Sequence, residues 1–128
     1  MRLDIDCVRD VMLELEGFPI GSFHVSSFKE SIEKYGYDAV VYTLTKLIEA
    51  DFINAGGDRT MDGLFHIGSI VDLTFQGHQF LEAIREKSVW LKTKSILSRI
   101  GASGFSLVSQ VATSILTDAA STYLKNLS

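Results

Sequence analysis

The chain has 128 residues, of which 46% are hydrophobic and 22% are charged, and its formal net charge of −4 is unevenly distributed. Residues 1–75 contain six Lys/Arg and thirteen Asp/Glu, for a net −7, whereas residues 76–128 contain six and three, for a net +3. This length and composition predict one globular domain with a buried core and exclude an intrinsically disordered chain.

Apolar residues recur at helical spacing over residues 4–16 and predict a first helix. Asp4 suits its start, where the helix dipole favours negative charge, and Gly17 suits its end. The expected buried side of this helix comprises Ile5, Val8, Met12 and Leu15. A turn and then a short strand over residues 22–25 are expected to follow.

Ser27 and Glu30 have the spacing of a capping box, in which each side chain accepts a hydrogen bond from the other residue's backbone N–H. The second helix is therefore expected to have Ser27 as its N-cap and to end at Gly36. Asp38 is then expected to cap a third helix. The buried stripe of that helix comprises Val40, Leu44, Leu47 and Ile48.

After residue 51 the pattern changes from helical to extended. Residues 52–55 predict a strand, and Gly56, Gly57 and Asp58 predict a turn after it. Gly63 marks a second break, and residues 64–73 contain further strand material. Together these segments predict a β-hairpin with a long tip.

The remaining residues predict three helices in succession. Thr74 is expected to cap a helix that runs to about residue 87, with Phe80, Leu81 and Ile84 facing inward. A second helix is expected over residues 88–100. Residues 101–104 then form a clear break. The last helix is expected over residues 105–127.

Three helices followed by two strands is the order of a winged helix. The pattern Leu-Thr-x-x-Gly-x-x-Phe-Leu at residues 73–81 resembles the passage from strand to helix in many bacterial winged-helix proteins. We therefore expect a mainly α fold with a small β-hairpin, of the α+β class. It comprises a winged helix-turn-helix core over residues 1–87 and a C-terminal helical extension over residues 88–128, within one compact domain.

Several phrases of the sequence resemble the bacterial and phage family called domain of unknown function 2513. They are LDIDCVRD at residues 3–10, LIEADFI at 47–53, LT with GHQFL at 73–81, and AIR at 83–85 followed by Trp90. The resemblance covers essentially the whole chain. It implies an origin in a phage, a prophage or another mobile element, and it implies no activity and no site residues.

No pattern in the sequence predicts catalysis. A phosphate-binding loop, Gly-x-Gly-x-x-Gly and His-Glu-x-x-His are absent, the three histidines lie far apart, and Cys7 is the only cysteine. We therefore expect no catalytic residue, metal, cofactor, small-molecule substrate or enzyme activity. Charges interrupt the N-terminus and no run of about 18 strongly apolar residues occurs, so we expect a cytoplasmic protein of the bacterial host cell, without a membrane partner.

A DNA-binding winged helix places its third helix in the major groove and its hairpin on the backbone or in the minor groove. In this sequence the candidate nucleic-acid-binding residues are Tyr42, Thr45 and Lys46 on the third helix and Arg59 at the hairpin tip. Asp38 and Glu49 share the outward face of that helix and would repel phosphate. A solvated helix face is an equally good interpretation of these residues.

Basic residues are concentrated further along the chain, where five of them fall within residues 85–99 and only Glu86 opposes them. They are Arg85, Lys87, Lys92, Lys94 and Arg99. This run is either a phosphate-binding patch or the solvated face of an amphipathic helix. The solvated face is the more common explanation of such a run.

The last predicted helix has a broad apolar stripe, and residues 100–117 contain no charged residue. Such a helix needs a surface to cover, either on its own domain or on a second subunit. We expect a homodimer through this helix, with Val111, Ile115 and Tyr123 at the interface. A membrane surface is disfavoured, because the polar face of the helix lacks Lys and Arg.

Two functions remain open. The first is a non-enzymatic winged-helix binding protein of phage or prophage type that acts as a DNA-binding regulator or adaptor. The second is an acidic protein-binding module that inhibits a host factor such as a defence nuclease, in the manner of an anti-CRISPR protein. The winged-helix pattern favours the first function, and the net charge of −7 over residues 1–75 favours the second.

Overall fold

A computed structural model of the chain describes residues 1–101 and 104–127. Within this part of the chain the fold combines six α-helices with one antiparallel hairpin, so the predicted mainly helical α+β class is confirmed. The elements in chain order are α1 (Ile5–Glu16), α2 (Lys29–Tyr35), α3 (Tyr37–Glu49), β1 (Ile53–Arg59), β2 (Phe65–Leu73), α4 (Phe75–Ile84), α5 (Lys87–Ile100) and α6 (Phe105–Leu127).

Helix α1 forms where the sequence predicts it. The Asp4 carboxylate accepts hydrogen bonds from the backbone N–H groups of Asp6, at 2.9 Å, and Cys7, at 3.4 Å, and so caps the helix. Gly17 ends it. The buried side of α1 comprises Cys7, Val8, Val11, Met12 and Leu15.

Helix α2 begins differently from its prediction, because the capping box at Ser27 does not form. Ser27 lies in a single 3₁₀ turn, Val25–Ser27, and Phe28 occupies the N-cap position without a side-chain bond. The exposed N–H groups of α2 are instead satisfied from α1. The Glu14 carboxylate accepts hydrogen bonds from the backbone N–H groups of Glu30, at 3.1 Å, and Ser31, at 3.0 Å.

Helix α3 follows directly after Gly36, whose φ of 91° lies in the left-handed region that favours glycine. Gly36 rather than Asp38 therefore occupies the N-cap position, and Asp38 lies in the first turn. The buried side of α3 comprises Val40, Thr43, Leu44 and Leu47, whereas Ile48 is only half-buried. The Thr43 hydroxyl donates a hydrogen bond of 3.3 Å to Cys7 Sγ and so links α3 to α1.

The hairpin differs from its prediction in the position of the turn. Gly56 and Gly57 lie within β1, and the chain reverses between Thr60 and Leu64, around Gly63 with a φ of 82°. The predicted turn at Gly56 and Gly57 is therefore wrong. A Cβ at Gly57 would lie 2.4 Å from the backbone carbonyl oxygen of His66, so this glycine serves the close approach of two strands.

The short strand predicted between α1 and α2 consists of a single paired residue. Phe23 pairs with Ile70 of β2 in an isolated antiparallel bridge, through hydrogen bonds of 2.7 and 2.8 Å in the two directions. The predicted strand over residues 22–25 is therefore wrong as an extended element, although its one pairing lies inside that range. The ring of Phe18 packs beside Phe23, at a centroid distance of 4.8 Å, and beside Phe28, at 5.0 Å.

The chain forms two compact units, Met1–Gln79 and Phe80–Ser128. In the first unit, the Thr74 hydroxyl accepts a 3.0 Å hydrogen bond from the Gly77 N–H and donates one of 2.6 Å to the Asp51 carbonyl, so the predicted cap is confirmed. In the second unit, Glu86 caps α5. Helix α4 therefore ends at Ile84, before the predicted residue 87. The predicted inward residues of α4, Phe80, Leu81 and Ile84, are all buried.

Helices α5 and α6 make up most of the second unit and pack against each other. Gly101 ends α5 in the left-handed conformation, at a φ of 70°. The bounds of α6 are those that the sequence predicts. Residues 102 and 103 of the predicted break lie outside the described residues.

Candidate binding surfaces

Three of the four predicted nucleic-acid-binding residues share one face of α3. Tyr42, Thr45 and Lys46 are spaced three and four residues apart and are half-buried. The Lys46 ammonium lies over the Tyr42 ring, 5.5 Å from its centroid. The Thr45 hydroxyl donates a 2.8 Å hydrogen bond to the Val41 carbonyl, within the helix.

The positive charge on this face is partly balanced. Glu49, one turn beyond Lys46, accepts a hydrogen bond of 3.0 Å from its ammonium, and this contact raises the pKa of Lys46. Asp38 is exposed in the first turn of the same helix. The outward face of α3 therefore presents one lysine between two carboxylates, which weakens its attraction for phosphate.

Arg59, the fourth predicted residue, lies at the end of β1 where the chain reverses. Its Nη1 donates a 3.2 Å hydrogen bond to the Gly63 carbonyl, across the turn. The Asp62 carboxylate accepts hydrogen bonds from the Thr60 hydroxyl and from the Leu64 N–H, and these bonds lower the pKa of Asp62. The tip thus combines an exposed guanidinium with an ionised carboxylate that holds the turn.

A cleft between α1 and α2, of about 370 Å³, was not predicted from the sequence. Its lining comprises Asp10, Leu13, Glu14, Glu30, Ser31 and Lys34. Asp10 accepts hydrogen bonds from the Lys34 ammonium, at 2.9 Å, and from the Tyr35 hydroxyl, at 2.5 Å. Burial and the Asp10 carboxylate both raise the pKa of Tyr35. Polar side chains of α1 and α2 therefore form hydrogen bonds with each other in this cleft. These residues lie far apart in the sequence, so no local pattern predicted their contacts.

Helix α5 carries the densest positive charge. Its sequence, KSVWLKTKSILSRI, contains four Lys/Arg and no Asp/Glu. Lys87, Lys92 and Arg99 are exposed, and Lys94 is half-buried, with its ammonium 6.0 Å from the centroid of the Trp90 ring. The side chains that face inward are Val89, Trp90, Thr93 and Leu97.

The buried residues of helix α6 lie in its first half, and its second half is exposed. Val108 and Ala112 are fully buried, Val111 and Ile115 are half-buried, and Tyr123 is 66% exposed. The predicted interface residues therefore do not share one environment. Val111 and Ile115 line a groove of about 370 Å³ with Ile96 of α5, and Ile115 and Tyr123 line a second groove of about 830 Å³.

Neither a cluster of metal ligands nor an exposed thiol occurs among the described residues. Among them, no group of three His, Cys, Asp or Glu side chains converges closely enough to hold a metal ion. Cys7 is fully buried, and burial raises the pKa of its thiol although the Thr43 hydroxyl acts in the opposite direction. Across residues 1–101 and 104–127, no helix has both the length and the apolar content that crossing a bilayer requires.

Comparison with known proteins identifies one relationship. The family described as hypothetical protein (DUF2513) matches residues 2–103 of the chain. This match covers the hairpin and all helices except α6. No curated protein and no solved structure matches the chain.

Proposed function

Since the chain belongs to the DUF2513 family of hypothetical proteins, whose description assigns no activity, we propose from its geometry that it is a non-enzymatic winged-helix protein that binds duplex DNA as a regulator or adaptor. One observation carries this proposal. Two helices precede α3, which carries three of the candidate residues. A hairpin with Arg59 at its tip follows α3 directly. This is the element order in which winged helices present a recognition helix and a wing.

The single pairing between Phe23 and Ile70 supports the same assignment. A winged helix adds a short strand, from between its first two helices, to the hairpin that follows its third helix. Phe23 lies between α1 and α2 and pairs with β2, so the chain has the equivalent connection in its shortest form. In this assignment α3 is the recognition helix, with Tyr42, Thr45 and Lys46 directed at the groove, and Arg59 contacts the backbone.

A second function is favoured by a different observation. Residues 1–75 have a net charge of −7, the Lys46 ammonium is bonded to Glu49, and the hairpin tip includes Asp58 and Asp62 beside Arg59. Such a surface suits a basic protein partner better than it suits phosphate. The alternative is therefore an acidic protein-binding module that occupies a basic channel of a host factor, such as a defence nuclease.

The proposal includes a homodimer formed through α6. The second copy is the occupant that fits, because Val111 and Ile115 line the groove beside Ile96 together with Leu107, and none of the basic residues of α5 lies in that groove. In a two-fold arrangement the same apolar surface of each copy faces the other, so it is self-complementary. A dimer would also place two recognition helices on two half-sites of DNA.

The proposal also carries a cytoplasmic location, where DNA is accessible, and an origin in a phage or prophage. Its test is selection of bound duplexes from fragmented host and phage DNA at low salt, followed by fluorescence anisotropy on the selected duplex. Lys46→Glu and Arg59→Glu should each weaken binding and lower its salt dependence. Lys29→Glu on α2 is the matched control, because Lys29 is exposed, as Arg59 is, and the charge change is identical.

If no duplex is retained at low salt, the DNA-binding function is wrong. Recovery of one basic host protein by affinity purification, with binding lost on Asp58→Lys or Asp62→Lys, would then support the protein-binding module. If the protein is a regulator, it should instead bind one specific duplex more tightly than random DNA.

A further inference from the structure

We propose that the exposed face of α5 holds the phosphate backbone of duplex DNA and supplies more of the electrostatic affinity than α3 does. This inference rests on the proposed function, and it assigns most of the electrostatic affinity for DNA to α5 instead of α3. Phosphate contacts supply most of the sequence-independent affinity of DNA-binding proteins, and they require several Lys/Arg that are not already paired. The outward face of α3 offers only Lys46, which is paired with Glu49.

The cations of α5 are arranged in two rows. Lys87 and Lys94 are seven residues apart, as are Lys92 and Arg99, and seven residues complete almost two turns of a helix. Each pair therefore lies on one line along the helix, about 10 Å long. Between the two rows the outward face carries Leu91, Ser95 and Ser98, all of which are exposed.

The spacing of these cations suits a DNA strand. One strand carries a phosphate for about every 3.4 Å of duplex axis, and successive phosphates also wind around that axis, so two cations about 10 Å apart can contact two different phosphates of one strand. Serine hydroxyls between the rows add donors of the kind that commonly bond phosphate oxygens. The α5 face therefore combines charge, spacing and hydrogen-bond donors in a single rigid element.

Three of the four cations are also available for a ligand. Within the described residues, no ion pair joins Lys87, Lys92 or Arg99 to a carboxylate. The acid nearest to them in sequence is Glu86, whose carboxylate caps α5 through the Ser88 hydroxyl and the Val89 N–H. These hydrogen bonds lower the pKa of Glu86 most, and the charge of Lys92 lowers it further. Asp118 lines the same groove as Lys92 but not as the other three cations.

Duplex DNA fits this face better than an anionic membrane does. A helix that lies on a membrane surface needs a continuous apolar face next to its cations. Val89, Trp90 and Leu97 of α5 are buried, whereas Leu91, Ile96 and Ile100 are exposed. The exposed three do not form a continuous face, because the row of Lys92 and Arg99 separates Leu91 from the other two. Of the outward positions between the two basic rows, only Leu91 is apolar.

The test measures anisotropy of a labelled duplex with the full-length protein, over a range of salt concentrations. Each phosphate contact that is removed should lower the slope of log K against log salt by about 0.9. We therefore expect Lys92→Gln/Arg99→Gln to lower the slope by about 1.8. The control is Arg2→Gln/Lys29→Gln, which removes one arginine and one lysine from exposed positions of the first unit and should leave the slope unchanged.

Lys87→Gln/Lys94→Gln repeats the measurement on the other row and serves if the first pair of substitutions unfolds the protein. The inference is overturned, while the proposed function stands, if both α5 variants bind with the wild-type slope and Lys46→Gln loses binding. It is also overturned if the α5 variants lose binding to phosphatidylserine vesicles but still bind the DNA duplex as the wild type does. If wild-type protein binds no duplex at low salt, the proposed function fails and the inference fails with it.

Discussion

Glu14 of α1 and Ser31 of α2 are joined by two hydrogen bonds to one carboxylate oxygen. Glu14 Oε1 accepts from the Ser31 backbone N–H at 3.0 Å and from the Ser31 hydroxyl at 2.6 Å. The other oxygen, Oε2, accepts from the Glu30 N–H at 3.1 Å. A side chain of one helix thus performs the role that an N-cap residue normally performs within its own helix.

Removal of this contact should destabilise the protein. Glu14→Ala leaves the first N–H groups of α2 and the buried Ser31 hydroxyl without their acceptor, so we expect a loss of about 1–3 kcal/mol in the free energy of unfolding. Urea denaturation followed by circular dichroism measures it. Glu33→Ala is the control, since Glu33 is exposed on α2 and should change stability by less than about 0.5 kcal/mol. Equal effects of the two substitutions would contradict the proposed role of Glu14.

The two adjacent glycines of β1 should respond very differently to alanine. A Cβ at Gly57 would meet the His66 carbonyl oxygen at 2.4 Å, whereas a Cβ at Gly56 has no atom within 4 Å. We expect Gly57→Ala to cost about 1–3 kcal/mol because the strands must separate, and Gly56→Ala to be nearly neutral. Thermal denaturation of both variants checks this difference. A turn at Gly56 and Gly57, as the sequence suggested, would make both substitutions costly.

Tyr35 should make stability depend on pH in the alkaline range. Its pKa is raised in the folded protein by burial and by Asp10, so folding favours the protonated phenol. The resulting stabilisation is complete below the ordinary tyrosine pKa of about 10 and is lost as the pH rises above it. Tyr35→Phe should cost about 1 kcal/mol near neutral pH and should weaken this alkaline decline. Urea denaturation at neutral and at alkaline pH measures both effects.

Tyr37→Phe is the matched control for that experiment, because Tyr37 is an exposed tyrosine at the start of α3. Its alkaline decline should equal that of the wild type. A Tyr35→Phe variant with an unchanged decline would show that the alkaline sensitivity arises elsewhere.

The proposed dimer predicts a specific response to charge on α6. Ile115 lines both grooves beside α6, so Ile115→Asp places a carboxylate within the proposed apolar interface and should release monomers. Thr113→Asp introduces the same charge at an exposed position and should leave the dimer intact. Sedimentation equilibrium at micromolar concentration distinguishes the two states. A wild-type monomer with α6 protected from proteolysis would mean that the apolar residues of α6 pack within their own chain.

Local signals in the sequence were sufficient for most of the helices. The cap at Asp4, the break at Gly36 and the cap at Thr74 act within a few residues of themselves, so the pattern alone locates them. The bounds of α6 follow from an uninterrupted helical stretch after Gly104. These features require no knowledge of what packs against them.

The errors arose where a distant residue decides the local structure. Ser27 has the correct spacing for a cap, but Glu14 reaches the same N–H groups from another helix. Gly56 and Gly57 look like a turn, but strand pairing continues through them to Arg59. The short strand at residues 22–25 keeps only the pairing of Phe23, because only Ile70 offers it a partner.

The candidate site was predictable in part for the same reason. Helical spacing places Tyr42, Thr45 and Lys46 on one face, and the position of Glu49 three residues after Lys46 allows the ion pair. The contact of Asp10 with Lys34 and Tyr35 joins residues more than twenty positions apart, and no periodicity encodes it. Surfaces within one helix were therefore visible in the sequence, and surfaces between helices were not.

The pairing of Phe23 with Ile70 allows amide hydrogen exchange to measure how the linker between α1 and α2 separates from β2. Each residue donates its amide proton to the other, and no neighbouring rung shares the bridge. Both protons should therefore show the same free energy of opening, that for separating the linker between α1 and α2 from β2. If this free energy equals that of the buried α1 amides, hairpin and helices open as one cooperative unit. If it is smaller, the linker separates from the hairpin while the helices remain folded.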